Sequence, residues 1–426
     1  MQDPKMQGGK TRALWRNHNY VTLFTGQLLS TIGSAVYSFA LLWDMKVLTD
    51  NTFLMSLVGI AWMLPQVIIG PFAGVFVDRW NKRWTMFWSD VIRLGITFGA
   101  TALAMTGHFT PWEIILSALL LNTVGTVFGP AAGTLTPLVV EADQLASANG
   151  LEQASGPLSN IFGPAISAGL IAWHGVGSAY AVDAISFLVS VASLFFICAP
   201  EPSRTHEKLN VRVFFAELGD GFRAVREIRL MMALLPTAFL LNLLFAPFEI
   251  YMVQFVTVAL HRTQVALGEL NSLFAVGMII GAVTAGLLSK RIHSGYLIAG
   301  SLLMSNIVFI TAGLSSWFPS ILVLMTIGGI TQSWVNVPIF TMMQRVIPHE
   351  YRGRVFALIG TLFGGAMPIG ILLGGIAART VPIRDLFVFS GIIGGLLALT
   401  MIALPAVREA DTLMPTEEPI LEGTTV

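Results

Sequence analysis

The 426-residue chain carries 24 basic and 24 acidic residues, for a formal net charge of zero. Charged residues make up 11% and apolar residues 54%, with a mean hydropathy of +0.74, which leaves too little polar surface to cover a soluble globule of this length. The balance excludes the global positive field that nucleic-acid binding needs and points to an integral protein of a lipid bilayer.

A polar segment, 1–19, precedes an apolar run from Tyr20 to about Lys46, which is longer than the apolar core of a signal peptide and lacks a small-residue cleavage pattern. It reads as a first, retained span. Further runs of the ~20 residues that cross a bilayer as a helix start near Phe53, Trp84, Glu113, Leu145 and Gly177, then near Met231, Glu269, Gly295, Ser320, Gly353 and Ile383. The expected fold is all-α and integral to the membrane. Twelve transmembrane helices form two six-helix bundles, 20–199 and 231–405, joined by a cytoplasmic linker at 200–230 and followed by a cytoplasmic tail at 406–426. Within the linker, Val213-Phe214-Phe215 through Phe222 and Val225 make an amphipathic stretch suited to the membrane surface.

Between the second and third runs lies the charged turn Gly74-Val75-Phe76-Val77-Asp78-Arg79-Trp80-Asn81-Lys82-Arg83. Cations collect where a span leaves the bilayer on the cytoplasmic side, so this turn marks an inside end. The same orientation puts Lys5, Lys10, Arg12, Arg16 and the linker arginines inside, leaving Lys46, Arg262, Arg379 and Arg384 outside. Both termini are then cytoplasmic. The halves echo each other: Gly286-Leu287-Leu288-Ser289-Lys290-Arg291 ends the eighth run as Gly74 to Arg79 ends the second, and Pro130 and Pro338 stand in the fourth and tenth.

A carboxylate inside a span needs a cavity, a partner or a proton. Asp44, Asp90, Glu152, Asp183 and Glu249 are the acids so placed, with Arg93 the cation. Asp90 and Arg93, three apart on one helix, can neutralise each other. Asp183 has Ser186 and Asn160 as expected hydrogen-bond partners, so both sites read as structural. All seven histidines fall outside the runs or at their ends, the single Cys198 permits no intrachain disulfide, and no phosphate-cradling glycine loop appears. No metal, no cofactor and no enzymatic reaction are expected.

The charged turn, together with Gly26-Gln27, Phe128-Gly129-Pro130-Ala131, Ala148-Asn149-Gly150, Asp183-Ala184-Ile185-Ser186-Phe187, Arg352-Gly353-Arg354-Val355 and Met367-Pro368-Ile369-Gly370, resembles the major facilitator superfamily, in its bacterial macrolide-efflux branch. Siderophore exporters share much of that pattern. The resemblance implies a multi-pass protein of the bacterial cell (inner) membrane, functional as a monomer, that exports small molecules by alternating access in exchange for protons, as a macrolide or multidrug antiporter. The alternatives are a dedicated exporter of an endogenous siderophore or lipid and, more remotely, a non-transporting membrane sensor or scaffold.

Carried onto this chain, the resemblance makes Gly74, Asp78, Arg79, Lys82 and Arg83 a gating motif, with Asp78 latching the amino end of the eleventh helix near Gly353. Gly150, Gly163 and Pro164, with Ser159, Ser167 and Ala168, resemble the superfamily's antiporter motif with small residues in place of three glycines. The superfamily surrounds its central cavity with helices one, four, seven and ten, which here bring Gln27, Ser34, Tyr37, Asn122, Asn242, Gln254, Gln332, Trp334 and Asn336 as substrate-cavity candidates. Asn122 stands where relatives place an intramembrane arginine. Of the acids on these helices, Glu249 is nominated as the principal proton-responsive group and Asp44 as its lesser partner.

Overall fold

The computed structural model describes residues 14–70, 80–141, 144–197, 228–289, 291–347 and 351–404, with Phe72, Ala73, Val77, Gly219, Phe222, Arg223, Val225 and Arg226. Every regular element among the described residues is helical. The helices are α1 (His18–Thr49), α2 (Thr52–Ile68), α3 (Lys82–Met105), α4 (Pro111–Gly125), α5 (Phe128–Val139), α6 (Leu145–His174), α7 (Val176–Phe196), α8 (Arg229–Phe245), α9 (Phe248–Gln254), α10 (Gln264–Leu288), α11 (Ser294–Leu314), α12 (Phe318–Val346), α13 (Arg352–Ala377) and α14 (Ile383–Ala403).

Nine stretches among the described residues are long and apolar enough to span a membrane, with α4 and α5 forming one of them and α8 and α9 another. Three of the runs read from sequence fall outside that set. Helix α3 is long enough, but Lys82, Arg83, Asp90 and Arg93 lower its hydropathy, and α6 is diluted by glycine, serine, asparagine and glutamine. Helix α2 is apolar but has only 17 residues.

The chain divides into two units: Met1–Asp50 with Ala61–Lys208, and Asn51–Ile60 with Leu209–Val426. In the first unit α1 packs on α6 and α7, and α3 packs on α7. Part of its interior is built from Leu23, Val77, Met86, Ala131, Leu135, Leu194 and Ile197. Approach of α1 to α7 depends on Gly33, because a Cβ there would collide with the Ser186 side chain.

In the second unit α10 packs on α12, α11 on α12 and α14, and α8 on α13. The α10–α12 contact is backbone to backbone. A Cβ on Gly329 would strike the Phe274 carbonyl, and one on Gly281 would lie 2.8 Å from the Ile330 Cα. Small residues let membrane helices approach this closely, and dispersion then holds them where no hydrophobic effect operates. The Ser333 hydroxyl adds a hydrogen bond to the Met278 carbonyl at 2.7 Å.

The expected boundary at 20–199 is crossed by residues 51–60, which group with the second unit. The cause lies in their side chains. Gln254 donates to the Thr52 hydroxyl at 2.8 Å, Arg379 lies 4.2 Å from the centre of the Phe53 ring, and Gly375 leaves room for Ser56. Residues 1–13, most of the linker and the tail beyond Leu404 lie outside the described residues, as does Cys198.

Candidate functional site

In the first unit a chain of phenols organises Asp44. This carboxylate is only 7% exposed, and the Tyr180 hydroxyl on α7 donates to it at 2.9 Å. A hydrogen bond to a charged acceptor contributes about 1.5–3 kcal/mol, which offsets part of the cost of holding the carboxylate inside a span. The rings of Tyr37 and Tyr180 lie 4.8 Å apart, and the Tyr37 hydroxyl donates to Ser117 on α4 at 3.0 Å. Lys46, two residues further on, pairs instead with Asp50, one turn beyond it. Asp44 therefore faces the interior of its own unit, and Tyr37 is a wholly buried part of the same network.

A second polar group joins α3 and α7. The Ser190 hydroxyl donates to Asp90 at 2.6 Å and Arg93 donates to the other carboxylate oxygen at 3.5 Å. The Arg93 guanidinium lies over Phe187 at 4.5 Å and over Phe128 at 5.6 Å. It also stands 3.4 Å from the point a Cβ on Gly125 would occupy. Asn122 turns its amide to its own helix, donating to the Ala118 carbonyl at 3.0 Å. The cation beside Gly125 thus comes from α3. Asp183 accepts from Ser186 and Ser34 at 3.3 and 3.4 Å, while its expected partner Asn160 is exposed.

Helix α4 gives way to α5 after Gly125, and α8 gives way to α9 at Ala246 and Pro247. In each, an asparagine four residues before the break accepts its last helical bond, from Thr126 to Asn122 and from Ala246 to Asn242. Proline at 247 cannot extend the ladder, so the chain restarts there and presents Glu249 in the first turn of α9. Glu249 is exposed and has no hydrogen-bond or ion-pair partner among the described residues. The nearby polar side chains are engaged elsewhere: Asn242 donates to the Ala238 carbonyl at 3.0 Å and Tyr251 to the Gly374 carbonyl at 3.3 Å. Beyond α9 the helix widens into a π turn, Phe255–Ala259.

On α12, Gln332 donates to Asn336 at 3.2 Å, so these two share a face. Trp334 points to α10, where its indole N–H meets the Thr284 hydroxyl at 2.8 Å. Gln254 is buried against Thr52. Gln27 is half-buried, and its amide nitrogen has no partner among the described residues. Beside Gln254, a cavity of about 250 Å³ is lined by Thr52, Val258, Arg379 and Thr380. The candidates therefore separate into helix-tying groups (Tyr37, Gln254, Trp334) and groups left free or only self-paired (Gln27, Gln332, Asn336, Glu249).

Of the gating motif, Gly74, Asp78 and Arg79 lie outside the described residues. Lys82 donates to the carbonyls of Val77 and Trp80, at 2.7 and 3.2 Å. Arg83 reaches the last turn of α7, donating to the Leu194 carbonyl at 2.7 Å and to Phe195. It caps a helix terminus whose carbonyls lack partners, at the favourable end of the dipole. In the antiporter-like motif a Cβ on Gly163 would meet the Ala35 Cβ at 2.5 Å, and Ser167 donates to the Val36 carbonyl at 2.9 Å. That face of α6 therefore packs on α1 of its own unit. Gly150 has open space around it, and Pro164 sits within the continuous α6.

Sequence reading missed Tyr180 and Ser190. Their signal was available, since Tyr180, Asp183, Phe187 and Ser190 recur at three- and four-residue intervals along an otherwise apolar helix.

A family described as transmembrane secretion effectors matches residues 10–423. Macrolide efflux protein A of Streptococcus pyogenes is 26% identical over 395 residues, covering 92% of this chain and 97% of the relative. The multidrug efflux pump Tap of Mycobacterium tuberculosis is 24% identical over 408 residues, covering 93% and 96%. Among solved structures, a bacterial homologue of the iron transporter ferroportin superposes with a TM-score of 0.71 at 14% identity, covering 92% of this chain and all of that one, a likeness of fold. The chain belongs to the transmembrane secretion effector family, in the macrolide-efflux branch of the major facilitator superfamily, and is a multi-pass bacterial membrane protein.

Proposed function

We propose that this protein exports drugs of the macrolide or multidrug class by proton-coupled antiport. In this reading it works as a monomer of twelve spans with both termini in the cytoplasm. The efflux proteins to which it is similar along nearly its whole length support the substrate class. One observation carries the coupling: Glu249 is an exposed carboxylate, unpartnered among the described residues, within the apolar span Leu230–Ala259. An ionised carboxylate that neither pairs nor bonds cannot rest against lipid, so it faces water and exchanges protons with it, or it is neutral. A cationic amphipathic drug competes with that proton for the same carboxylate. Asp44, held by Tyr180, is then a structural acid rather than the partner of Glu249.

The deciding experiment is efflux from proteoliposomes loaded with a macrolide, with and without an imposed pH gradient. Glu249→Gln keeps shape and hydrogen bonding but cannot ionise. It is expected to reduce gradient-driven efflux to the level of protein-free liposomes while leaving binding of a neutral substrate in place. Wild-type gradient-driven efflux by Glu249→Gln rejects the assignment. A drug panel in growing cells tests breadth: protection against several unrelated classes supports multidrug export, whereas no protection favours export of an endogenous siderophore or lipid.

A further inference from the structure

The first unit brings three formal charges together within its helical interior. Asp90 and Arg93 are one turn apart on α3, and Asp183 is on α7. On α7, Asp183, Ser186, Phe187 and Ser190 share one face, which is turned to α3: Ser190 bonds Asp90 and Phe187 lies under Arg93. Asp90 is 0% exposed and Asp183 1%.

The charges in this cluster do not cancel. Asp90 takes both the Ser190 hydroxyl and the Arg93 Nη1 donor. Asp183 receives only hydroxyls, from Ser186 and Ser34, and no ion pair among the described residues joins it to Arg93. The guanidinium is not saturated either, since its Nε is buried without a partner among the described residues. With both carboxylates ionised the cluster holds one negative charge in excess, a state that low-dielectric surroundings disfavour.

Among the described residues no other packed element supplies the missing cation. Helix α1 brings Ser34 and the neutral phenol Tyr37, whose proton is donated to Ser117. The α4–α5 stretch brings Gly125 and Phe128. On α6 the acid Glu152 is engaged by Thr136. A proton is the remaining neutralising species, and of the two hydroxyls that bond Asp183, Ser34 on α1 is half-buried whereas Ser186 is buried.

We propose that Asp90, Arg93 and Asp183 form a proton-exchanging cluster, in which one proton, carried by one or the other carboxylate, balances the charge and leaves to water past Ser34. It is a second proton site, separate from Glu249, and its part in transport rests on the proton-coupled reading above. On release, the carboxylic acid becomes a carboxylate and the proton passes to a water molecule. Arg93 is a positioning residue, because it sets how many protons the pair retains.

The test is infrared spectroscopy of the full-length protein in lipid nanodiscs, following the C=O stretch of protonated carboxyl groups across pH in H₂O and D₂O. The wild type is expected to show such a band near neutral pH, and Glu249→Gln is expected to retain it. Asp183→Asn and Asp90→Asn each leave one acid against one guanidinium, so each is expected to abolish it. Arg93→Gln removes the balancing cation and is expected to raise the band about twofold, since each carboxylate then takes its own proton, whereas Arg93→Lys keeps the wild-type amplitude. A merely structural cluster predicts no such gain. The proposal is overturned if Glu249→Gln, which needs no refolded cluster, shows no protonated-carboxyl band, or if folded Asp183→Asn and Arg93→Gln keep the wild-type amplitude. Gradient-driven efflux by the wild type is scored separately: its absence rejects the coupling reading, while the band still decides the cluster's proton.

Discussion

In the first unit the carboxylates of Asp44, Asp90 and Asp183 each accept a hydroxyl from a neighbouring helix, whereas in the second unit Glu249 has no partner among the described residues. The second unit packs instead through aromatic rings, with Phe248, Phe309 and Phe387 clustered at centroid distances of 5.0 to 6.2 Å, and through glycine-mediated backbone contact. Polar side chains therefore tie helices in one unit, while in the other Glu249 is exposed and unpartnered among the described residues. The two units share one device, an arginine closing helix ends. Arg83 caps α7 in the first, and in the second Arg384 donates to the carbonyls of Gly313, Ser315 and Ala259 at 3.0, 2.7 and 3.0 Å.

The largest effect on stability is expected at Arg384, which binds the carboxyl-terminal ends of two separate helical stretches. Arg384→Ala strands three carbonyls and is expected to cost about 3 kcal/mol or more, read as a lower thermal midpoint of the detergent-solubilised protein. Arg384→Lys should recover only part, because an ammonium lacks the planar fork. Full stability in Arg384→Ala would show that the second unit depends on packing alone.

Tyr180→Phe comes next, since it leaves the buried Asp44 carboxylate without its donor. A cost of about 1–3 kcal/mol is expected, measured by the same thermal assay, and Asp44→Asn in the Tyr180→Phe background should add little if the two act through one bond. Additive losses would break the contrast between a tied first unit and a freer second one.

The antiporter-like motif sharpens the comparison within one helix. Gly163→Ala drives a methyl into Ala35 and is expected to cost about 1–3 kcal/mol by overpacking. Gly150→Ala enters open space and is expected to stay within about 0.5 kcal/mol. Equal losses at both sites would mean that Gly163 is not a contact of the first unit. The smallest stability effect is expected at Glu249→Gln, again within about 0.5 kcal/mol, since no bond is lost. A large destabilisation there would reveal a structural partner and unite the two units in their treatment of acids within spans.

Much of this architecture was legible from composition. A chain with 54% apolar residues arranged in runs about 20 residues long must satisfy its backbone within helices in the bilayer, which is why the helical class followed directly. The charged turn, the paired prolines and the short list of intramembrane charges were equally plain, because expensive residues in a span stand out one by one. The sequence could not say which of those charges are partnered. Asp44 and Glu249 looked alike as acids on helices expected to line a cavity, and the difference between them comes from Tyr180, which lies 136 positions away from Asp44. The same holds for Arg93, whose place beside Gly125 is taken across a helix pair while Asn122 holds the expected position. It holds too for residues 51–60, which join the second unit through Gln254, Arg379 and Gly375. The physical reason is one of range. Periodicity and hydropathy report whether a segment crosses the membrane, a property of local free energy of transfer, whereas the partner of a buried charge is set by which helix faces pack together, and only the tertiary structure decides that.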